Sequence, residues 1–289
     1  MAALPTYTKT FHTTTYPSIS PTRPELSLAG KTILITGGGS GIGAAIAHAY
    51  AQAGARNILL MGRRLGRLEA VQTSIASSQP RTAVALHAGD VTNPADVAAA
   101  FAALTAAFGP STTLDALVAN AGYLETPRTV DAADEQDWWR AYEVNVKSLF
   151  LLARGFVRHA TKPGAVFVNV STMAAHAGAF PEFSGYAGSK LAAAKVVEVM
   201  QAEKGGEGLR FVNAHPGVIE TDMYAKSGLP LPTDQIDLSS HFFLWLVSPE
   251  AEFLKGKFVW VNWDVDELKA RQQEIASGNK LTVGLLGWA

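Results

Sequence analysis

The 289-residue sequence contains no cysteine, which excludes disulfides, cysteine nucleophiles and thiolate metal sites together. Charge is scarce and balanced: 17% of residues are charged, and 24 Lys and Arg against 25 Asp and Glu leave a net charge of −1. No electrostatic footprint for nucleic acid or anionic lipid follows from such a balance. No uninterrupted apolar run reaches the ~18 residues that a membrane span needs, and the best candidate, around Leu149–Leu152, is bracketed by Lys147 and Arg154. The N-terminus lacks a basic stretch followed by an apolar core, so it does not read as a secretory signal. Residues 1–24 hold no acid, yet their only basic residues are Lys9 and Arg23, too few for an Arg-rich transit peptide. The seven histidines are scattered without paired spacing, so no metal site is expected. These absences together predict a cytoplasmic protein with no membrane, nucleic-acid or metal partner.

What is abundant is apolar. With 48% hydrophobic residues, mean hydropathy +0.11 and 26 glycines, the chain can bury a large core and is too apolar to be disordered. Residues 1–27 carry Thr13-Thr14-Thr15 and prolines 5, 17, 21 and 24, a composition that resists helix and predicts an extended, poorly packed arm. Residues 28–289 read as a single domain. Short apolar runs at 32–35, 57–61, 83–87, 116–119, 165–170, 209–213 and 258–261 alternate with helical patterns near 42–53, 65–78, 94–108, 134–160, 186–204 and 239–247. Strands separated by helices must pair in parallel, and strands apolar throughout suit a sheet covered on both faces. The prediction is a doubly wound parallel α/β sheet with helices on both faces. Periodicity loosens over about 222–238, as in a binding lid. A capping box at Asp264 and Glu267 opens a last helix to about residue 276, and the apolar tail to 289 is expected to pack on its own subunit or a neighbour.

The first strand runs into Gly37, Gly39, Ser40, Gly41, Ile42 and Gly43 at the start of a helix. Glycines there let the backbone approach a pyrophosphate, and the helix N-terminus offers it unpaired N–H groups. Two other loops are excluded. Gly30-Lys31-Thr32 lacks the leading glycine of a Walker A motif, and Ile42 stands where a nucleophile elbow at Ser40 needs glycine. NAD sites place an acid about twenty residues beyond the loop to hold the ribose 2′-hydroxyl. Here no acid occurs from Ala44 to Leu68, and the second strand ends in Gly62-Arg63-Arg64. Guanidinium groups can fork onto a 2′-phosphate, which favours NADP over NAD; the bland alternative leaves Arg63 and Arg64 as solvated loop charges.

Tyr186 and Lys190 stand four apart, on one face of a helix. About 0.3 such pairs arise by chance from this composition, so the pair gains meaning from its company. Thr36-Gly37-x-x-x-Gly41-Ile42-Gly43, Asp90-Val91, Asn120-Ala121-Gly122, Asn145, Tyr186-x-x-x-Lys190 and Pro216-Gly217-x-Ile219-x-Thr221 occur in this order. In that order and near-family spacing, from residue 28 to about 222, the chain resembles the single-domain short-chain dehydrogenases/reductases, and so a Rossmann fold.

The resemblance implies NADP(H)-dependent hydride transfer between a nicotinamide and a carbonyl or secondary alcohol. It implies Tyr186 as general acid and base, Lys190 lowering the phenol's pKa while binding the ribose, and Asn145 holding a water of a proton relay. The family's carbonyl-binding serine corresponds to Thr172 in Ser171-Thr172, with Ser171 as the fallback. By resemblance Asp90 accepts the adenine amino group with Val91 beside it, Asn120-Ala121-Gly122 closes near the ribose, and Thr221 meets the carboxamide. Asp90 as a helix cap and Asn120 as a sheet tie are the bland alternatives. His176, Tyr224, Leu229 and Leu231 are candidate pocket residues. A homodimer or homotetramer through the helices at 134–160 and 186–204 is the inherited expectation. The rival functions are a catalytically silent NADP-binding regulator and a related lyase or epimerase.

Overall fold

The computed structural model describes residues 6–285. Seven strands, β1 (Thr32–Thr36), β2 (Asn57–Gly62), β3 (Ala83–Ala88), β4 (Ala116–Ala119), β5 (Val166–Val170), β6 (Arg210–His215) and β7 (Phe258–Trp260), form one parallel sheet in the order β3-β2-β1-β4-β5-β6-β7. The order reverses between β1 and β4, and that switch point opens the crevice in which doubly wound sheets bind ligands. The helices α1 (Gly41–Gln52), α2 (Leu65–Ser78), α3 (Pro94–Phe108), α4 (Glu135–Tyr142), α5 (Ser148–His159), α6 (Ser184–Lys204), α7 (Asp222–Ser227), α8 (Ile236–Val247), α9 (Val265–Ala270) and α10 (Gln272–Ser277) complete the described residues.

Alternation along the strands divides the core in two. Ile33, Ile35, Ile58 and Leu60 pack against Ile46 and Tyr50 of α1 and Phe242, Phe243 and Trp245 of α8. Leu34, Leu59 and Leu117 face the other way, onto Phe101 of α3, Phe156 of α5 and Val197 of α6. Fully apolar strands are what a sheet covered on both faces requires.

Three expectations need correction. Residues 6–27 form no helix beyond two short turns, yet they are packed: Ile19 is 0% and Leu26 1% exposed. His12 N–H donates to Asn262 O (2.8 Å) and His12 Nε2 meets Asp264 Oδ2 (2.9 Å), while Arg23 pairs with Glu250 at 2.6 Å. Composition foretold the missing helix and not the anchors, because single apolar residues in an irregular segment carry no period. Second, the span 134–160 is two helices joined by a π-turn, Glu143–Lys147. One wider turn resets the helix face and escapes a 3.6-residue pattern. Third, the stretch after Thr221 is partly helical: Thr221 caps α7, and α8 already begins at Ile236.

The C-terminal helix at 264–276 is split at Arg271 into α9 and α10. Beyond it, Phe258 N–H donates to Leu281 O (2.8 Å) and Val283 N–H to Glu198 Oε1 (2.5 Å), so this part of the tail lies on its own chain. Residues 286–289 of the expected tail lie outside the described residues.

Candidate active site

The glycine loop sits at the switch point. Gly37 N–H is tied to Met61 O at 2.8 Å, Gly41 has φ +52°, and a Cβ on Gly43 would lie 2.4 Å from Gly37 O. Only glycine permits that left-handed turn and that approach of α1 to the end of β1. Ser40 precedes α1 without capping it through its side chain, so the first N–H groups of α1 are left for another acceptor. Asn120 reaches across from β4: its Nδ2 donates to Thr36 O (3.0 Å), while the Asn120 and Ala121 N–H groups both donate to Thr36 Oγ1 (3.1 Å each). It ties β4 to β1 at the loop.

Arg63 and Arg64 are exposed at the end of β2, with Arg64 only 3.9 Å from the exposed Asp222. Asp90 is committed within the chain in a way neither reading foresaw. Its Oδ1 accepts from Thr92 N–H and Oγ1 (2.8 Å each), and its Oδ2 from Arg140 at 3.0 Å. These bonds hold its carboxyl below the ordinary range against the opposing effect of burial. The cap of α3 is Asn93 instead, and Val91 is buried beside Asp90.

Asn145 lies in the π-turn, buried. Its carboxamide grips Tyr123, accepting from Tyr123 N–H (2.9 Å) and donating to Tyr123 O (2.8 Å) and Ser189 Oγ (2.9 Å). A Cβ on Gly122 would stand 3.5 Å from both Asn145 Oδ1 and Lys190 Nζ, so these two groups flank one strip of backbone. Lys190 is 5% exposed and donates to Val170 O at 2.7 Å.

One cavity, about 740 Å³ including its open mouth, gathers Ile42, Ser171, Thr172, Tyr186, Pro216, Gly217, Ile219 and Thr221. The predicted Arg63, Arg64, Asp90 and Val91 do not line it, nor does His176, whose Nε2 accepts from Trp260 Nε1 at 3.0 Å. Of the two candidates for the serine position, Thr172 lines the cavity with Tyr186, whereas the Ser171 hydroxyl is buried without a partner. Thr172 also caps a short turn by accepting from Ala174 N–H (3.3 Å). The remaining wall is apolar, including Met173, Phe180, Phe183, Met223, Leu229 and Leu231; Tyr224 also lines it and donates its hydroxyl to Leu231 O at 2.8 Å.

The electrostatics correct one expectation. Burial pushes the Tyr186 phenol up to about 12, the nearby Thr172 hydroxyl opposing and Glu125 reinforcing the rise. Burial brings the Lys190 ammonium down to about 8. In the protein alone the phenol is thus held protonated rather than acidified, because removing a phenolate from water outweighs any help from the lysine.

Several site residues carried no sequence signal. His215 is buried against the cavity, accepts from Met173 N–H at 3.2 Å through Nδ1, and is held neutral by burial, which lowers it to about 3. Asp234 Oδ2 accepts from Val218 N–H (2.9 Å) and so fixes the Pro216–Ile219 loop. Lys226 of α7 donates to Leu124 O (2.6 Å) and lies over the Tyr123 ring, pinning the lid helix to the loop after β4. Each is a contact between segments distant in sequence, which no local spacing encodes.

Comparison with known proteins agrees with this geometry. A family model described as short chain dehydrogenase matches residues 31–230. A short chain dehydrogenase/reductase, AacuD, from Aspergillus aculeatus is 34% identical over 282 residues, covering 96% of each chain. A short chain dehydrogenase, mpl6, from Monascus purpureus is 33% identical over 286 residues, covering 95% of this chain and 94% of its own. Among solved structures, a putative short chain dehydrogenase from Pseudomonas syringae superposes with TM-score 0.75 at 26% identity, covering 83% of this chain and 97% of that one. Among the described residues, no helix is long and apolar enough to cross a membrane.

Proposed function

Because this chain belongs to the short-chain dehydrogenase/reductase family, we propose that it is an NADP(H)-dependent oxidoreductase acting on a bulky apolar carbonyl or the matching secondary alcohol, with Tyr186 as general acid and base. Members of the family are oxidoreductases that use a nicotinamide cofactor, which supplies or accepts the hydride when bound. The residues present suit such a group. The start of α1 is uncapped, Gly43 admits a close backbone approach, and Arg63 and Arg64 stand exposed where a 2′-phosphate would be read.

The reading is carried by one observation: Ile42 of the glycine loop, Thr172 and Tyr186 line the same cavity. Thr172 and Tyr186, whose hydroxyls belong to one cavity wall, can both bond a carbonyl oxygen. As that oxygen gains negative charge, the two donors stabilise it, and Tyr186 gives up its proton. A phenol held near 12 by burial carries its proton at neutral pH, the form that reduction needs, and the ratio of reduced to oxidised cofactor sets the net direction. Lys190, fixed by Val170 O, would bond the ribose with its remaining N–H groups, and Asn145 would carry the relay beside it. Ser171 is assigned no contact with the substrate. The wall of Met173, Phe180, Phe183, Met223, Leu229 and Leu231 favours an apolar substrate over a sugar or a hydroxy acid.

The exposed Trp139, Phe150, Leu191 and Val199 on α4, α5 and α6 support the homo-oligomer expected from the family. The test is NADPH oxidation against a panel of bulky aromatic and aliphatic ketones. Turnover is expected with at least one, and Tyr186→Phe is expected to reduce kcat by ~10³-fold without weakening NADPH binding. A Tyr186→Phe variant as fast as the wild type removes the acid assignment.

A further inference from the structure

Helix α6 carries both Tyr186 and Lys190, and its N-terminus is poorly provided for by its own sequence. Phe183 occupies the cap position and offers no side-chain acceptor, and the first turn holds no acid. The first N–H groups of a helix need acceptors from elsewhere. One comes from far away: Glu125 Oε1, in the loop after β4, accepts the Tyr186 backbone N–H at 2.9 Å across 61 residues of sequence. Glu125 is 3% exposed. It lies hard against the helix, for a Cβ on Gly185 would stand 3.1 Å from its Cδ. Trp138 of α4 reinforces the same turn by donating to Ser184 Oγ at 3.0 Å.

We infer that Glu125 is a positioning residue for Tyr186: its carboxylate caps α6 from outside that helix and so sets where the phenol stands. The inference rests on the reading of Tyr186 as the acid. The charge is poorly compensated. Glu125 forms no ion pair among the described residues, and its Oε2 is buried without a partner. Of the charged groups around it, Lys226 on α7 is turned to Leu124 O, Lys190 on α6 to Val170 O, and Asp137 on α4 to the Tyr123 hydroxyl. A negative charge behind a phenol disfavours phenolate. A single group thus fixes where Tyr186 stands and adds to the burial that keeps its phenol protonated.

Glu125→Gln keeps a carbonyl acceptor for the Tyr186 N–H and removes the charge, whereas Glu125→Ala removes both. Two readouts separate the roles. The first is the pH profile of kcat/KM for 9,10-phenanthrenequinone reduction with NADPH. In Glu125→Gln the alkaline loss of activity is expected to move about one pH unit lower, because the proton donor ionises sooner. The second is backbone hydrogen exchange of the α6 first turn, which needs no substrate. It is expected to speed up about tenfold or more in Glu125→Ala and to stay near wild type in Glu125→Gln. A Glu125→Gln profile that superposes on the wild type, or first-turn amides equally protected in Glu125→Ala, overturns the inference. A Tyr186→Phe control that keeps full activity instead overturns the acid assignment on which it rests, so the two failures are distinct.

Discussion

Thr172 lines the same cavity as Tyr186, while its neighbour Ser171 buries an unpartnered hydroxyl. The pair therefore divides unequally, and the unequal division can be measured. Thr172→Val keeps the shape and removes the donor, and is expected to lower kcat by ~10²-fold, the usual effect of losing one oxyanion donor. Ser171→Ala removes an orphan hydroxyl and is expected to leave kcat within about twofold and stability unchanged or slightly raised. Steady-state kinetics and thermal melts of the two variants decide it.

Cofactor selectivity is expected to reside at the end of β2. Replacing Arg63 and Arg64 together by Ala should weaken NADPH binding by ~10-fold or more and NADH binding by less than about twofold, since only the former has a 2′-phosphate for a guanidinium fork to meet. Fluorescence titration with both nucleotides reads the ratio. An equal loss for the two nucleotides removes the phosphate argument.

Lys190 makes the fold's stability depend on pH in a definite direction. Its folded value is near 8 against 10.5 for the free side chain, so between those values the unfolded chain holds a proton that the folded chain does not. Stability from this group therefore rises as pH climbs through that window, and the burial penalty is felt in full below it. Compared with Lys190→Met, the wild type is expected to gain about 3 kcal/mol between pH 8 and 10.5. Denaturant melts of the two proteins across that range check both the sign and the size.

The N-terminal segment is expected to behave as part of the core. Ile19 is fully buried, so Ile19→Ala should cost about 2–4 kcal/mol in chemical denaturation. A dangling arm would lose nothing.

What the sequence disclosed and what it withheld divide along a physical line. The seven strands and the helix at 94–108 were legible because an apolar period and punctuation by glycine and proline are local properties of a chain. The glycine loop, Asn120, Asn145, Tyr186 and Lys190 were legible through ordered motifs. Glu125, His215, Asp234 and Lys226 were not, because each acts on a segment remote in sequence. The direction of the Tyr186 pKa shift in the protein alone is hidden for a related reason: the spacing to Lys190 is visible in the sequence, but the desolvation that raises the phenol arises only on folding.

The clasp between the two ends of the chain has one further effect. Along the outer rim of β7, Phe258 N–H is taken by Leu281 O, Trp260 O by Trp263 N–H, and Asn262 O by His12 N–H. These bonds seal a margin that would otherwise present bare donors and acceptors to any passing strand. Of the three, only the Asn262 bond comes from the N-terminal segment, so cutting away the first twenty residues would bare that end of the rim and leave the bonds at Phe258 and Trp260 in place.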